Sequence, residues 1–314
     1  MADRLQVLRG ADPVLSGLSI GYSNAEYIAT DSLFPMAQVP KESGKIPKHT
    51  KQAFKLFATE RALRAKSNRV NPEDRTFIDF AVEEHDLSVP MDYREGEEAV
   101  DLDVEAANTF LATEGIALRA EKIAADLAFD GAQYAASNKV TLANTDQWTN
   151  YGSSTSDPIG VVDSAKEQVR KNIARYPNTA VMGAQTFKAL KNHPKILERL
   201  TYSQLGVVTP ALLAAILDLD RIFIGKAIWA SDDGNTTTDI WGDKFLLAYV
   251  RPAQPGAKRS VYEPNFGYTV YRDNNMVDKY PEEGGKLLNV RCTRRFKQLL
   301  VGADAGYLIE DTNA

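Results

Sequence analysis

The sequence predicts an α+β fold in which several elements have too little apolar surface to stand alone. Three stretches carry that prediction. Residues 1–50 are small, polar and broken by Pro13, Pro35, Pro40 and Pro47; residues 53–89 alternate apolar and polar around a charged centre; residues 104–130 form one long helical pattern. After them, short strands and helices interleave to the end of the chain.

The first 50 residues read as an arm. Residues 39–51 (VPKESGKIPKHTK) carry Lys41, Lys45 and Lys48 and almost nothing to bury, so the arm is expected to gain order only by lying on something else. Next, Phe54, Leu56 and Ala58 alternate with polar neighbours, and residues 77–83 (FIDFAVE) alternate again. Between them runs a charged stretch with an Asn71-Pro72 turn signal. The expectation is a two-stranded ribbon with a charged tip over residues 51–98. Such a ribbon is marginal by itself in water and needs a body or a neighbour beneath it.

Residues 104–130 give the clearest helix. Ala106, Phe110, Thr113, Ala117, Ala120, Ala124 and Leu127 recur every three or four positions as a small-residue stripe. Asp101, Asp103 and Glu105 place negative charge where the helix dipole favours it, and Gly131 closes the far end. At about 1.5 Å per residue the helix spans roughly 40 Å. Residues 139–142 follow as a short strand, with Trp148 the one large anchor of a polar stretch. Asp157-Pro158 sets an N-cap and a first-turn proline for a helix carrying Val161, Ala165, Val169 and Ile173. Strands are then expected at 179–182, 221–224 and 244–250, helices at 185–192 and 210–217, a turn at 232–238, and a β-rich end over 267–272 and 287–309.

Composition excludes several classes. The chain holds 42 acidic and 37 basic residues for a net charge of -5, which argues against a dedicated nucleic-acid reader while leaving room for local basic patches. The single cysteine, Cys292, forms no intrachain disulfide and reads as a buried strand thiol. No apolar run reaches the roughly 18 residues of a membrane span, and the N-terminus carries no secretory signal, so the expected place of synthesis is the cytoplasm.

Chemical motifs are sparse. His49, His85 and His193 stand apart, and no phosphate loop, nucleophile elbow or metal-spaced Cys/His set is present. Asp101, Asp103 and Glu105 could be paired carboxylates, yet helix entry explains them without special chemistry. Asp232-Asp233-Gly234-Asn235 resembles part of a calcium loop but lacks its spaced ligands, so an exposed turn is the simpler reading. No catalytic residue, cofactor or metal is expected.

Four segments carry a resemblance. Residues 138–159 (NKVTLANTDQWTNYGSSTSDPI), 177–200 (PNTAVMGAQTFKALKNHPKILERL), 206–225 (GVVTPALLAAILDLDRIFIG) and 262–271 (YEPNFGYTVY) resemble, in order, the major capsid proteins of tailed double-stranded DNA bacteriophages with the Hong Kong 97-type fold. The resemblance spans about residues 100–310. It implies an N-terminal arm at 1–50, an extended loop at 51–98, and a peripheral domain at 99–176 with a spine helix at 104–130. It further implies an axial domain at 177–255 and return strands of the peripheral domain at 256–314.

The resemblance implies hexamers and pentamers closing into an icosahedral shell around double-stranded DNA, assembled in the bacterial cytoplasm without covalent crosslinks. Its expected partners are further copies of the chain, a separate scaffolding protein, a portal, a decoration protein and non-specific contact with packaged DNA, with no membrane. Glu60, Arg61, Arg64, Arg69, Glu73 and Arg75 are the expected charges of the extended loop at subunit contacts. Lys41, Lys45 and Lys48 are those of the arm, and Asp232, Asp233 and Gly234 form the axial tip. Two other readings stand beside this one: an encapsulin-like bacterial nanocompartment shell, and a cytoplasmic α/β enzyme using the 101–105 carboxylates.

Overall fold

A computed structural model describes residues 24, 27–48, 54–69, 76–98, 104–200, 208–231, 236–253, 259–273 and 276–313. Helix α1 (Ala29–Ser32) leads into β1 (Met36–Gln38) and β2 (Ser43–Pro47); β3 (Phe77–Ala81) and β4 (Glu83–Asp92) follow, then α2 (Tyr93–Glu98) and the 25-residue α3 (Val104–Ala128). Next come β5 (Lys139–Thr141), α4 (Pro158–Ile173), β6 (Thr179–Gly183), α5 (Ala184–Lys191), α6 (Pro194–Leu200) and α7 (Pro210–Ile216). The remaining strands are β7 (Arg221–Gly225), β8 (Ile228–Ala230), β9 (Thr237–Asp239), β10 (Phe245–Ala248), β11 (Gly267–Tyr271), β12 (Met276–Glu282), β13 (Leu287–Leu300) and β14 (Gly306–Glu310).

The 14-residue β13 organises the first sheet. Along one edge it pairs antiparallel with β4, from Leu287↔Asp92 to Phe296↔Glu83. Along the other it pairs first with β12 and then with β11, and β1 adds to β11 in parallel. Pro90 in β4 and Pro281 in β12 lack a ladder N–H, which suits both strands to sheet edges. Helix α3 lies across this sheet, with Ala112, Ile116 and Ala120 on Cys292 and Phe296.

A second sheet runs β5-β14-β10-β6-β7, with β6–β7 and β5–β14 parallel and the rest antiparallel. Both faces are covered, so β6 and β10 are buried at every position and read in sequence as plain apolar runs. On one face Trp148, Ile159, Val162, Ala165 and Leu190 pack on Phe245 and Leu247; on the other, Trp241, Phe34 and Phe266 meet the end of α3. Gly183 is obligatory where β6 turns into α5, because a Cβ there would lie 1.7 Å from the Gly242 carbonyl oxygen.

Three expectations need correcting. The ribbon is not made by residues 54–58: those have no strand, and β3 pairs instead with β2 of the arm, Gly44 opposite Phe80 and Ile46 opposite Ile78. The physical reason is burial. Ile46 is fully enclosed with Phe80, Val261 and Tyr268, whereas Phe57 interrupts the alternation of Phe54, Leu56 and Ala58. The α3 stripe is also displaced. Asn108, Ala112, Ile116, Ala120, Ala124 and Ala128 are buried, while Ala106 and Phe110 are exposed, because the helix rests on β13 over its first half and on the Trp241 core over its second. At α4, Asp157 holds the N-cap position but its side chain caps nothing and lies 3.7 Å from Lys195. Strand β12, helix α6 and the β8–β9 hairpin carry no clear sequence signal.

Candidate assembly surface

Residues 54–69 leave the body as irregular backbone. Along them Phe54, Leu56, Phe57 and Leu63 are 58%, 97%, 43% and 90% exposed. Leaving a leucine in water forgoes about 1.5–3 kcal/mol of burial, so a stretch of this kind calls for a cover. The loop is nonetheless shaped. Asn68 donates through Nδ2 to the Ala58 and Glu60 carbonyls at 2.8 and 3.1 Å, the Arg61 guanidinium donates to the Ala65 carbonyl, and Arg64 turns the chain at φ 64°.

The expected contact residues fall into three groups. Glu60, Arg61, Arg64 and Arg69 are all exposed on this loop, and none forms an ion pair among the described residues. Arg61 is occupied locally by the turn. Lys41 and Lys48 are exposed, and Lys45 faces Asp79 across the β2–β3 pair at 3.6 Å. Glu73, Arg75, Asp232, Asp233 and Gly234 lie outside the described residues.

The arm is bolted down by residues that sequence reasoning missed. Glu42 receives hydrogen bonds from Arg295 (2.8 Å) and from Arg272, while its carbonyl accepts from the Val82 N–H at 2.7 Å. Glu121, on α3 and 3% exposed, accepts from the Ile28 and Ala29 amides at 3.0 Å each and from Trp241 Nε1 at 2.7 Å. Desolvation pushes its carboxyl above the ordinary range, and these three donors oppose that shift. Beside it, Tyr27 donates to Glu114, and burial raises the phenol first, with the carboxylate adding to it. The signal was present in outline: Glu121 interrupts an otherwise apolar face.

Two constellations could suggest chemistry, and the one that lies wholly among the described residues does not support it. Ser156 Oγ lies 3.1 Å from His193 Nε2. However, His193 Nδ1 accepts from the Lys195 amide at 3.3 Å, so Nε2 carries the proton, and Ser156 donates its own proton to the Gln147 carbonyl at 2.9 Å. The imidazole is therefore in the wrong tautomer to activate the serine. Of the carboxylates at 101–105, Glu105 is paired with Lys279, and Asp101 and Asp103 lie outside the described residues. Among the described residues no group of acidic, histidine or cysteine side chains is arranged to hold a metal, and no helix is long and apolar enough to cross a membrane.

Similarity to known proteins supports the capsid reading best. The chain is 49% identical to the major capsid protein of Burkholderia phage BcepMu over 310 residues, 99% of each chain. The chain belongs to the phage major capsid protein family. The family model described as phage major capsid protein E matches residues 129–279. A crystal structure of a phage-related protein from Bordetella bronchiseptica RB50 superposes with a TM-score of 0.74 at 31% identity, covering 96% of this chain and 97% of that one. The capsid of cyanophage P-SCSP1u shares the fold at a TM-score of 0.60 and 12% identity, covering 94% and 90%. The SrpI encapsulin of Synechococcus elongatus PCC 7942 is a more distant match, at 0.53 and 11%, covering 95% of both chains. As a member of this family the chain is a structural subunit of the virion capsid, with the Hong Kong 97-type fold, and it assembles from many copies.

Proposed function

We propose that copies of this chain close as hexamers and pentamers into an icosahedral phage head that encloses double-stranded DNA. The observation carrying this is the loop at 54–69, whose Leu56 and Leu63, at 97% and 90%, are the most exposed large apolar side chains among the described residues. A neighbouring copy is the natural cover. In this reading residues 1–50 are the arm, 51–98 the extended loop, and α3 the spine of a peripheral domain at 99–176 completed by strands after 256. The axial domain is centred on 177–255, with β5 and β14 joined to its sheet.

Glu60, Arg64 and Arg69, with Glu73 and Arg75, supply charge at the loop contact; Lys41, Lys45 and Lys48 do so along the arm. Exposed ion pairs are worth only about 0–1 kcal/mol each, so their part is to set register and reject wrong partners. Asp232, Asp233 and Gly234 form the tip near the capsomer axis. A separate scaffolding protein, a portal and a decoration protein complete the particle, the shell is non-covalent, and assembly takes place in the host cytoplasm.

The test is expression of the full chain followed by negative-stain electron microscopy and size-exclusion chromatography. Shells, tubes or capsomer-sized rings are expected, and a permanent monomer or dimer, even with a phage scaffolding protein present, refutes the reading. The distant encapsulin match reflects the shared fold alone.

A further inference from the structure

The second sheet gathers exposed basic side chains at one of its two ends. One end is where β6 and β7 begin at Thr179 and Arg221 and β10 finishes at Ala248. The last turn of α4, with Arg170 and Lys171, arrives at the same place, because the Asn178 carbonyl that follows accepts from both the Asp220 and Arg221 amides. Here Arg175 donates to the Tyr249 hydroxyl at 2.7 Å with its guanidinium 5.4 Å from that ring, and Arg221 lies 5.7 Å over Phe223. Arg259 is tethered by a 2.9 Å bond to the Arg251 carbonyl.

Two carboxylates at this end are already engaged, Glu167 by Arg170 and Glu263 by Arg251. Lys171, Arg175, Arg221 and Arg259 form no ion pair among the described residues; Asp31, which lines one cleft with Arg221 and Arg259, and Asp220 and Asp304 are the nearby acids. At the opposite end, where β7 and β14 finish, Asp243 and Asp311 flank the Lys244–Glu310 pair in the chain, and Lys226 follows β7.

We infer that this basic end is a sequence-independent contact site for the phosphates of duplex DNA; the inference rests on the shell reading above. The aromatic rings hold the Arg175 and Arg221 guanidiniums in place, which reduces the ordering cost of binding, and the planar fork matches a phosphate in two-point geometry. The cations are spread over an open surface, as suits an extended polyanion. The rest of a molecule with net charge -5 repels DNA, so the basic end is the part that leads.

The experiment measures binding of a labelled random-sequence duplex to the full chain across a salt series, with particle formation scored separately by electron microscopy. Wild type is expected to bind with affinity falling steeply as salt rises and with no preference between A·T-rich and G·C-rich duplexes. The double variant Arg175→Gln/Arg221→Gln is expected to bind more weakly, its log–log salt slope reduced by about 1.8, near 0.9 for each lost phosphate contact. Lys226→Gln, at the opposite end, is expected to leave affinity and slope unchanged, and particles are expected to form in all three. The inference fails if the double variant binds as wild type does. It also fails if the double variant loses assembly with DNA binding intact, which would assign the patch to carboxylates of a second copy. Absence of particles from wild type refutes the shell reading and, with it, the role inferred for this end, whatever the duplex-binding result.

Discussion

Glu121 ties together three parts of the chain through one carboxylate: the entry of α1, the middle of α3 and the Trp241 indole. Its folded pKa lies above the ordinary 4.5, because burial penalises the charged form. A raised folded pKa means the folded chain holds the proton more tightly than the unfolded one. The associated stability is complete below about 4.5 and is lost as pH rises through the folded value. Glu121→Gln carries no such proton. Melting temperatures measured from mildly acidic to neutral pH are expected to fall less steeply with rising pH in Glu121→Gln than in wild type over that window.

His85 works with the opposite sign. It stacks on Phe296 at 4.3 Å, and its pKa is pushed below 6.5 chiefly by burial, with Glu83 opposing the shift and the Arg119 charge adding to it. It therefore contributes stability that is present above 6.5 and lost as pH falls through its folded pKa. His85→Phe keeps an aromatic face on Phe296. Denaturant midpoints at pH 7 and at about 5.5 are expected to lie closer together in that variant than in wild type.

At the scale of elements, the loop at 54–69 and the β2–β3 pair make separable predictions. Leu56→Ser/Leu63→Ser touches side chains that are 97% and 90% exposed, so the isolated subunit is expected to melt within about 0.5 kcal/mol of wild type. Particle yield by electron microscopy is expected to collapse. Arg64→Glu/Arg69→Glu is expected to reduce correctly sized particles while leaving the circular dichroism of the subunit unchanged; Arg61 is a poorer choice for reversal because its guanidinium closes the turn.

These elements also mark where the sequence was readable. Helix α3, helix α4 with its first-turn proline, and the runs that became β6, β10 and β13 were legible, because each carries a helical period, a helix-start proline or an apolar run of its own. The partner of β3 was not, since pairing depends on which strand finds a buried seat, and Ile46 finds one in a segment that otherwise looks unable to fold. Strand β12 was hidden for a related reason: an edge strand with most residues in solvent has no apolar alternation to display. At the assembly surface the charges were visible as residue types. The bolts at Glu42 and Glu121 were not, because a buried carboxylate is recognised only by donors far away in the chain.

For the whole molecule, closure sums many weak contacts between copies, and the exposed leucines and phenylalanines say which kind dominates. If apolar burial outweighs ion pairing, sulfate should strengthen association by its exclusion from protein surface, while screening by sodium chloride should cost little. Light scattering of the purified chain is expected to rise faster in ammonium sulfate than in sodium chloride of equal ionic strength. The reverse order would shift the weight to Glu60, Arg64, Arg69 and their partners.

The single thiol gives this molecule a built-in gauge. Cys292 sits with no exposure where Ala112, Ile116 and Ala120 of α3 rest on β13, and the chain holds no other cysteine to confuse the signal. A thiol reagent reaches it only when the helix lifts from the strand, so the rate of modification clocks that separation directly. Followed in free subunits and then in closed particles, one reaction reports how far the lattice locks the helix to its seat, with no label introduced and no residue changed.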